Sequence, residues 1–333
     1  MQRFFKLETV NRYSPLGLRF LDLVRGMSVN DGLVVTARQV GTADPRQVAV
    51  RSPFSGIYGF RTLPGLRAFE VGERPATDWC TSLPDTDQPT VKLDPEHKLS
   101  FRDWCASLSG ANQPTAGGLT DIEELCGLLE AIEGQQQSAN FIISLQDQMA
   151  RFLPQVMLMC LPRERLVEIP LFSSPARLAS AGLGAVRGEL ALHGTQPSKP
   201  AQWALVTATL DNHTYVGVSD ARGMFTLFVP YASTLPPLAT AATNTPPVDQ
   251  LTWQLDIQVF YQPAKQQFVS KFEPPDMLSI MDQKAANLYG QEGGAPAPRL
   301  SYPLHFGDDL VIKTSQQSQV PSQLSQLLIE PAS

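Results

Sequence analysis

The sequence predicts a mainly β protein: two related antiparallel β-sandwich modules, a helix-containing insertion in the first, and an irregular extension on the C-terminal side. Three observations carry this expectation. Apolar and polar residues alternate with period two in many short runs, most clearly at Phe225, Leu227 and Val229 and again at Trp253, Leu255, Ile257 and Val259. The 28 prolines and 23 glycines are scattered along 333 residues, which favours short strands and turns over long helices. The third is an internal repeat.

The repeat pairs two stretches about 170 residues apart. LRFLDLVRG from Leu18 lies on VRGELALHG from Val186 without a gap. VVTA from Val34 lies on LVTA from Leu205, and GIYGF from Gly56 lies on GMFTL from Gly223. Pro64 falls close to Pro230. The spacing drifts by only a few residues, as changes in loop length produce.

The elements follow in order. In the first module, residues 18–24, 32–40, 47–51 and 57–60 read as strands, with turns at 25–26, 52–56 and 63–65. Residues 71–120 are rich in Pro, Thr, Asp, Ser and Gly and read as an excursion. Thr120 and Glu123 are spaced as a capping box opening a helix that ends at Gly134. Residues 141–145 and 152–161 are two strands around a polar bend with Asp147 and Arg151. The first module is thus expected over 1–165, with its insertion at about 71–140. The second module, 166–265, holds the strands of the repeat, an exposed loop at 234–249 and the alternating strand 251–261. The stretch 266–333 is expected to be an extension: a helix at 275–289, a flexible break at 291–298, more strand at 300–314 and a polar tail.

Composition narrows the function classes. Apolar residues make 43% and charged residues 17%, which is globular rather than disordered composition, and the net charge is -6. Without a basic stripe interleaved with aromatics, a nucleic-acid partner is not expected. No run approaches the roughly 20 apolar residues of a membrane span, and the first 20 residues lack signal-peptide form. The expected location is cytoplasmic at synthesis, with any export by another route such as lysis or assembly into a particle. Cys80, Cys105, Cys126 and Cys160 form no Cys-x-x-Cys pair, and buried free thiols are expected; a pairing such as Cys80 with Cys105 stays open.

Candidate chemistry is sparse. His97, His193, His213 and His305 have no ligand spacing, so no metal site is expected. The acid pairs Asp85 and Asp87, Glu123 and Glu124, and Asp308 and Asp309 are best read as turn or helix-start chemistry. No phosphate loop, dinucleotide fingerprint or nucleophile elbow occurs, and neither an enzyme nor a cofactor is expected. Asp220 and Gly223, like Gly56, are assigned to turns: Asp220 to cap backbone amides, the glycines to supply positive φ. Trp203 and Trp253 are expected in the core of strands. Trp79 and Trp104 flank the excursion and are candidate exposed contacts, which leaves glycan or cell-surface binding as the alternative function.

On these residues the second module resembles the carboxypeptidase regulatory-like, or transthyretin-like, β-sandwich domain. The hallmark is a strand ending in Asp-x-x-Gly, then an aromatic-containing strand and Pro, matched by Asp220, Gly223, Phe225 and Pro230. The likeness implies a stability or interaction module without catalytic residues. The order DGLVVTA, SGIYGFRTLPGLRAFE, VEIPLFSSPAR, the sandwich and HFGDDLVIKT is similar to proteins of phage-tail-like contractile injection systems. That likeness implies a structural part of the particle, at or near the baseplate, whose partners are other protein subunits.

Overall fold

The computed structural model describes residues 14–42, 46–66, 139–162, 166–195, 197–231, 251–315 and 325–332. Within them the chain is mainly β. The first unit contains β1 (Gly17–Asp22), β2 (Met27–Ser28), β3 (Leu33–Gln39), β4 (Gln47–Val48), β5 (Val50–Arg51), β6 (Tyr58–Gly59), β7 (Ala139–Asp147), β8 (Gln155–Leu161) and β9 (Val167–Leu171). One sheet runs β2-β1-β6-β5, with β9 on β1. The other runs β4-β3-β7-β8. Leu18, Phe20, Tyr58 and Ile169 of the first sheet meet Val35, Phe141, Ile143 and Met157 of the second in one buried cluster, so the unit is a sandwich.

The second unit repeats this plan. It contains β10 (Leu183–Leu192), β11 (Leu205–Leu210), β12 (His213–Val218), β13 (Met224–Pro230), β14 (Thr252–Phe260), β15 (Asn287–Tyr289), β16 (Leu300–His305), β17 (Leu310–Ile312) and β18 (Leu327–Glu330). The sheet β12-β11-β14-β16 corresponds to β4-β3-β7-β8 strand for strand. Registers correspond too. Thr36 pairs with Val48 and Ser144, and Thr207 pairs with Val216 and Gln258. Ile143 pairs with Met157, and Ile257 with Leu300. Val35 and Ala37 are buried like Val206 and Ala208, because the period-two pattern turns the same positions inward.

Most pairings are antiparallel, but each unit also carries parallel ones. β9 runs parallel to β1, and β17 and β18 run parallel to β10. The expected boundaries shift accordingly. β9 lies past residue 165 yet belongs to the first unit. The stretch after 265 is not an extension: β16 completes one sheet of the second unit, and β17 and β18 complete the other. The helix expected over 275–289 is limited to α1 (Met277–Met281), because residues 287–289 form β15 and pair with β18. The break expected at 291–298 contains bridges, including Leu288 with Ala297. The strand expected over 47–51 divides at Ala49. β4 joins the sheet of β3 and β5 joins that of β6, so this stretch turns the corner between the two sheets. The excursion, its helix and the loop at 234–249 lie outside the described residues.

The two units share a seam. Leu153 and Phe172 pack with Trp203, Leu205, Val218, Phe260 and Ile280 in one buried cluster. Trp203 is buried as expected, but in a turn ahead of β11 with φ +59° rather than in a strand. The segment after β14 crosses to the first unit. There the Leu158 N–H of edge strand β8 donates to the Asp276 carboxylate at 2.8 Å. Glu273 takes Arg38 at 2.5 Å and Arg46 at 2.7 Å. The segment covers the edge of β8, which would otherwise offer unpaired amides.

Candidate functional site

The turn residues come first. Asp220 Oδ1 accepts from the backbone N–H of Arg222 at 2.8 Å and of Met224 at 2.9 Å, which closes the turn between β12 and β13. Gly223 has φ +80°, and a Cβ there would lie 2.5 Å from the Leu190 carbonyl oxygen. Gly56 has φ +69°, and a Cβ would run into the Asn30 side chain. Both glycines thus combine left-handed backbone with close packing.

The described residues enclose one cleft of note, an open hollow of about 440 Å³ where the first unit meets the connector to the second. Its floor is built from ion pairs. Arg177 from the connector grips Asp22, at the end of β1, with two hydrogen bonds of 3.0 and 2.6 Å. Asp22 is 5% exposed, so this is a bidentate pair largely withdrawn from water. Arg187 of β10 donates to the carbonyls of Pro175 at 3.0 Å and Arg177 at 3.3 Å, which ties the same connector to the second unit.

The second ion pair is Asp147 with Arg151. The Asp147 carboxylate accepts from the Arg151 side chain and from the N–H groups of Met149, Arg151 and Phe152. Burial opposes its charge, but the hydrogen bonds from Arg151 and Met149 outweigh burial and hold its pKa below the usual carboxylate value. Arg151 also reaches Asp31 at 3.1 Å, and its pKa is raised, chiefly by the bond to Asp147. The Phe152 ring contacts both guanidinium groups, 5.4 Å from that of Arg151 and 4.8 Å from that of Arg177.

Part of the rim is apolar. Met27, Met149 and Leu178 line the cleft and are 58%, 59% and 85% exposed. Asp22 and Asp147 each serve an arginine and a backbone turn. The cleft is lined by charged, neutral polar, aromatic, thioether and aliphatic groups, without a cysteine or histidine. This is the chemistry of a contact surface: a floor fixed by ion pairs beneath a rim of mixed polar and apolar side chains.

Other expected residues lie apart from the cleft. Among the described residues no group of His, Cys, Asp or Glu is placed to hold a metal ion. His193 stacks on Tyr289, with ring centres 4.0 Å apart. His213 bonds the Asp211 carbonyl, and His305 bonds Thr252. Asp309 pairs with Arg187, and Asp308 closes a turn on His305. Trp253 is half-buried against Tyr231 and Phe306. Trp79, Trp104, His97, the remaining acid pairs, Cys80, Cys105 and Cys126 lie outside the described residues. Cys160 corrects the expectation of free thiols: it is buried and disulfide-bonded. Sequence reasoning missed Asp22, Arg177, Glu273 and Asp276. The only local signal was Asp22 itself, a charge within an apolar strand.

No protein-family model, curated protein or solved structure matches the chain.

Proposed function

We propose that this chain is a non-enzymatic structural subunit of a multisubunit assembly: a baseplate or baseplate-associated part of a phage-tail-like contractile injection particle, acting through protein–protein contacts. The observation that carries the reading is the seam. Two sandwich units are fastened by an apolar cluster, by the Asp22–Arg177 pair and by the Glu273 and Asp276 contacts, while large apolar side chains stay on the outside. A rigid body with preformed apolar contacts loses little entropy on docking, which suits a subunit that carries load. The order of sequence blocks supports the particle class.

The test is co-sedimentation of the tagged protein with sheathed particles, beside particle assembly in a deletion strain. Enrichment in particles, with defective assembly on deletion, is the expected result. Absence from purified particles, with particles unchanged on deletion, overturns the reading.

A further inference from the structure

We propose that the loop between β14 and α1 is a docking surface for the chain's own acidic stretch 67–138, which covers Phe272 and pairs with Lys271. The proposal does not rest on membership of a particle.

The loop is closed at its base, where the Asp276 N–H donates to the Gln267 carbonyl at 2.7 Å and the Gln267 N–H donates to Ser279 Oγ at 3.0 Å. It therefore holds its shape without packing Phe272, which is 97% exposed, beside half-exposed Phe268. An aromatic side chain held out on a braced loop is preorganised to anchor a contact. The free charge of the loop is positive. Glu273 is one carboxylate between two guanidinium groups, those of Arg38 and Arg46. Asp276 is buried against β8, and Asp282 pairs with Lys265. Lys271 is exposed and has no ion pair among the described residues.

Three observations name the occupant. The first is place. The stretch leaves after Leu66 and returns at Ala139, the first residue of β7. Ala139 pairs with Leu161 at the end of β8, and Gln39, beside Arg38, pairs with Phe141. Gly59 pairs with Gly17 at the start of β1, while Asp22 at the other end of β1 lines the cleft, so β6 also leads away from the cleft and toward Arg38. Both junctions thus belong to the end of the first unit where Arg38 holds the loop.

The second is covalent. Cys160 on β8 is disulfide-bonded, and the other cysteines of the chain, Cys80, Cys105 and Cys126, all fall within 67–138. The bond therefore ties the stretch to β8 two residues, about 7 Å, beyond Leu158, whose N–H the Asp276 carboxylate accepts. Cys80 follows Trp79 and Cys105 follows Trp104, so a tie at either of these brings an indole toward Phe272. The third is charge. Residues 67–138 hold 13 acidic and 5 basic residues, net -8, in a chain of net charge -6, so the remainder is positive. The stretch is tethered at both ends and at Cys160, so these modest attractions act at high effective concentration.

Zero-length carbodiimide coupling of the full, unreduced chain, followed by peptide mass analysis of the monomer fraction, tests this. The expected result is an amide between Lys271 Nζ and Asp or Glu side chains of 67–138, beside a disulfide-linked peptide pair joining Cys160 to Cys80, Cys105 or Cys126. Phe272→Ser, on an exposed side chain, is expected to lower the ratio of docked to free stretch by about 10- to 100-fold, the loss for a phenylalanine left unburied. That loss is read as reduced coupling and faster amide hydrogen exchange at residues 268–272. Phe272→Trp should retain both signals. Coupling of Lys271 only to acids outside 67–138, coupling only between separate copies, or Cys160 joined to a second chain overturns the proposal. Particle incorporation without this coupling overturns the contact and leaves the assembly reading standing; coupling without incorporation does the reverse.

Discussion

Gly223 carries two constraints at once: a backbone angle that side chains resist, and a carbonyl oxygen where a Cβ would sit. Gly194 carries only the first, with φ +73° and open space around it. Gly223→Val is therefore expected to lower stability by about 3 kcal/mol or more, and Gly194→Ala by about 1 kcal/mol, read as shifts in melting temperature. Equal shifts would contradict the packing account. Asp147 contributes to the acid sensitivity of the first unit. Its folded pKa is depressed, so its contribution is complete above the ordinary carboxylate value and is lost as pH falls through the folded value. Asp147→Asn should cost about 1–3 kcal/mol at pH 7 and flatten the loss of stability as pH falls below the ordinary carboxylate range. Denaturant melts across that range check both effects. The turn residues were legible in the sequence because Asp220 and Gly223 act on neighbours within four positions. The pairing of Asp22 with Arg177 was not, because nothing local to either residue names the other.

At the scale of elements, Asp276 joins a helix to a foreign sheet edge. Its carboxylate accepts from Ser279 N–H at the start of α1 and from Leu158 N–H on β8. Burial raises its pKa in spite of these bonds. The sign is opposite to that of Asp147: the raised folded value means that stability falls as pH rises from the ordinary carboxylate range through the folded value. Asp276→Asn keeps an acceptor and sheds the buried charge, so at pH 7 it should be neutral or stabilising. Asp276→Ala leaves the Leu158 amide without a partner and should cost about 1–3 kcal/mol. A loss from Asn equal to that from Ala would show that the charge itself is needed. Strands such as β3 and β14 were legible because one face is buried and the other is less so, which writes period two into the residues. The pairings of β9, β17 and β18 were harder. Their partners lie far away in sequence and run parallel, and a short parallel strand carries no turn signal to its neighbour. The helix expected over 275–289 fails for a related reason, since Leu288 and Tyr289 find better burial opposite β18 than in a longer helix.

At the scale of the whole molecule, the described residues form two copies of one plan, joined by an apolar seam and an arm from the second copy that seals the edge of the first. That coupling predicts one calorimetric transition for wild type. Trp203→Asp places a charge in the seam and should separate the transition into two, while the cores around Phe141 and Phe225 stay intact. A single, merely lowered transition would mean that the units are bound by more than the seam. The duplication was legible as matched blocks, and strand order and register repeat it. The seam was not legible, because Leu153, Phe172 and Trp203 read as ordinary apolar residues of their own segments.

β18 has a consequence for synthesis. Leu327 and Ile329 fill the core beside β10, whose residues leave the ribosome much earlier, and β15 pairs with nothing else of comparable length. The second unit therefore cannot close its sheet until Glu330 has been translated, at roughly 5–20 residues per second. The first unit, whose last strand is β9, can be complete by then. Through that interval the nascent chain would carry a finished sandwich followed by an open one, and a stall or truncation before Leu327 would release the open form.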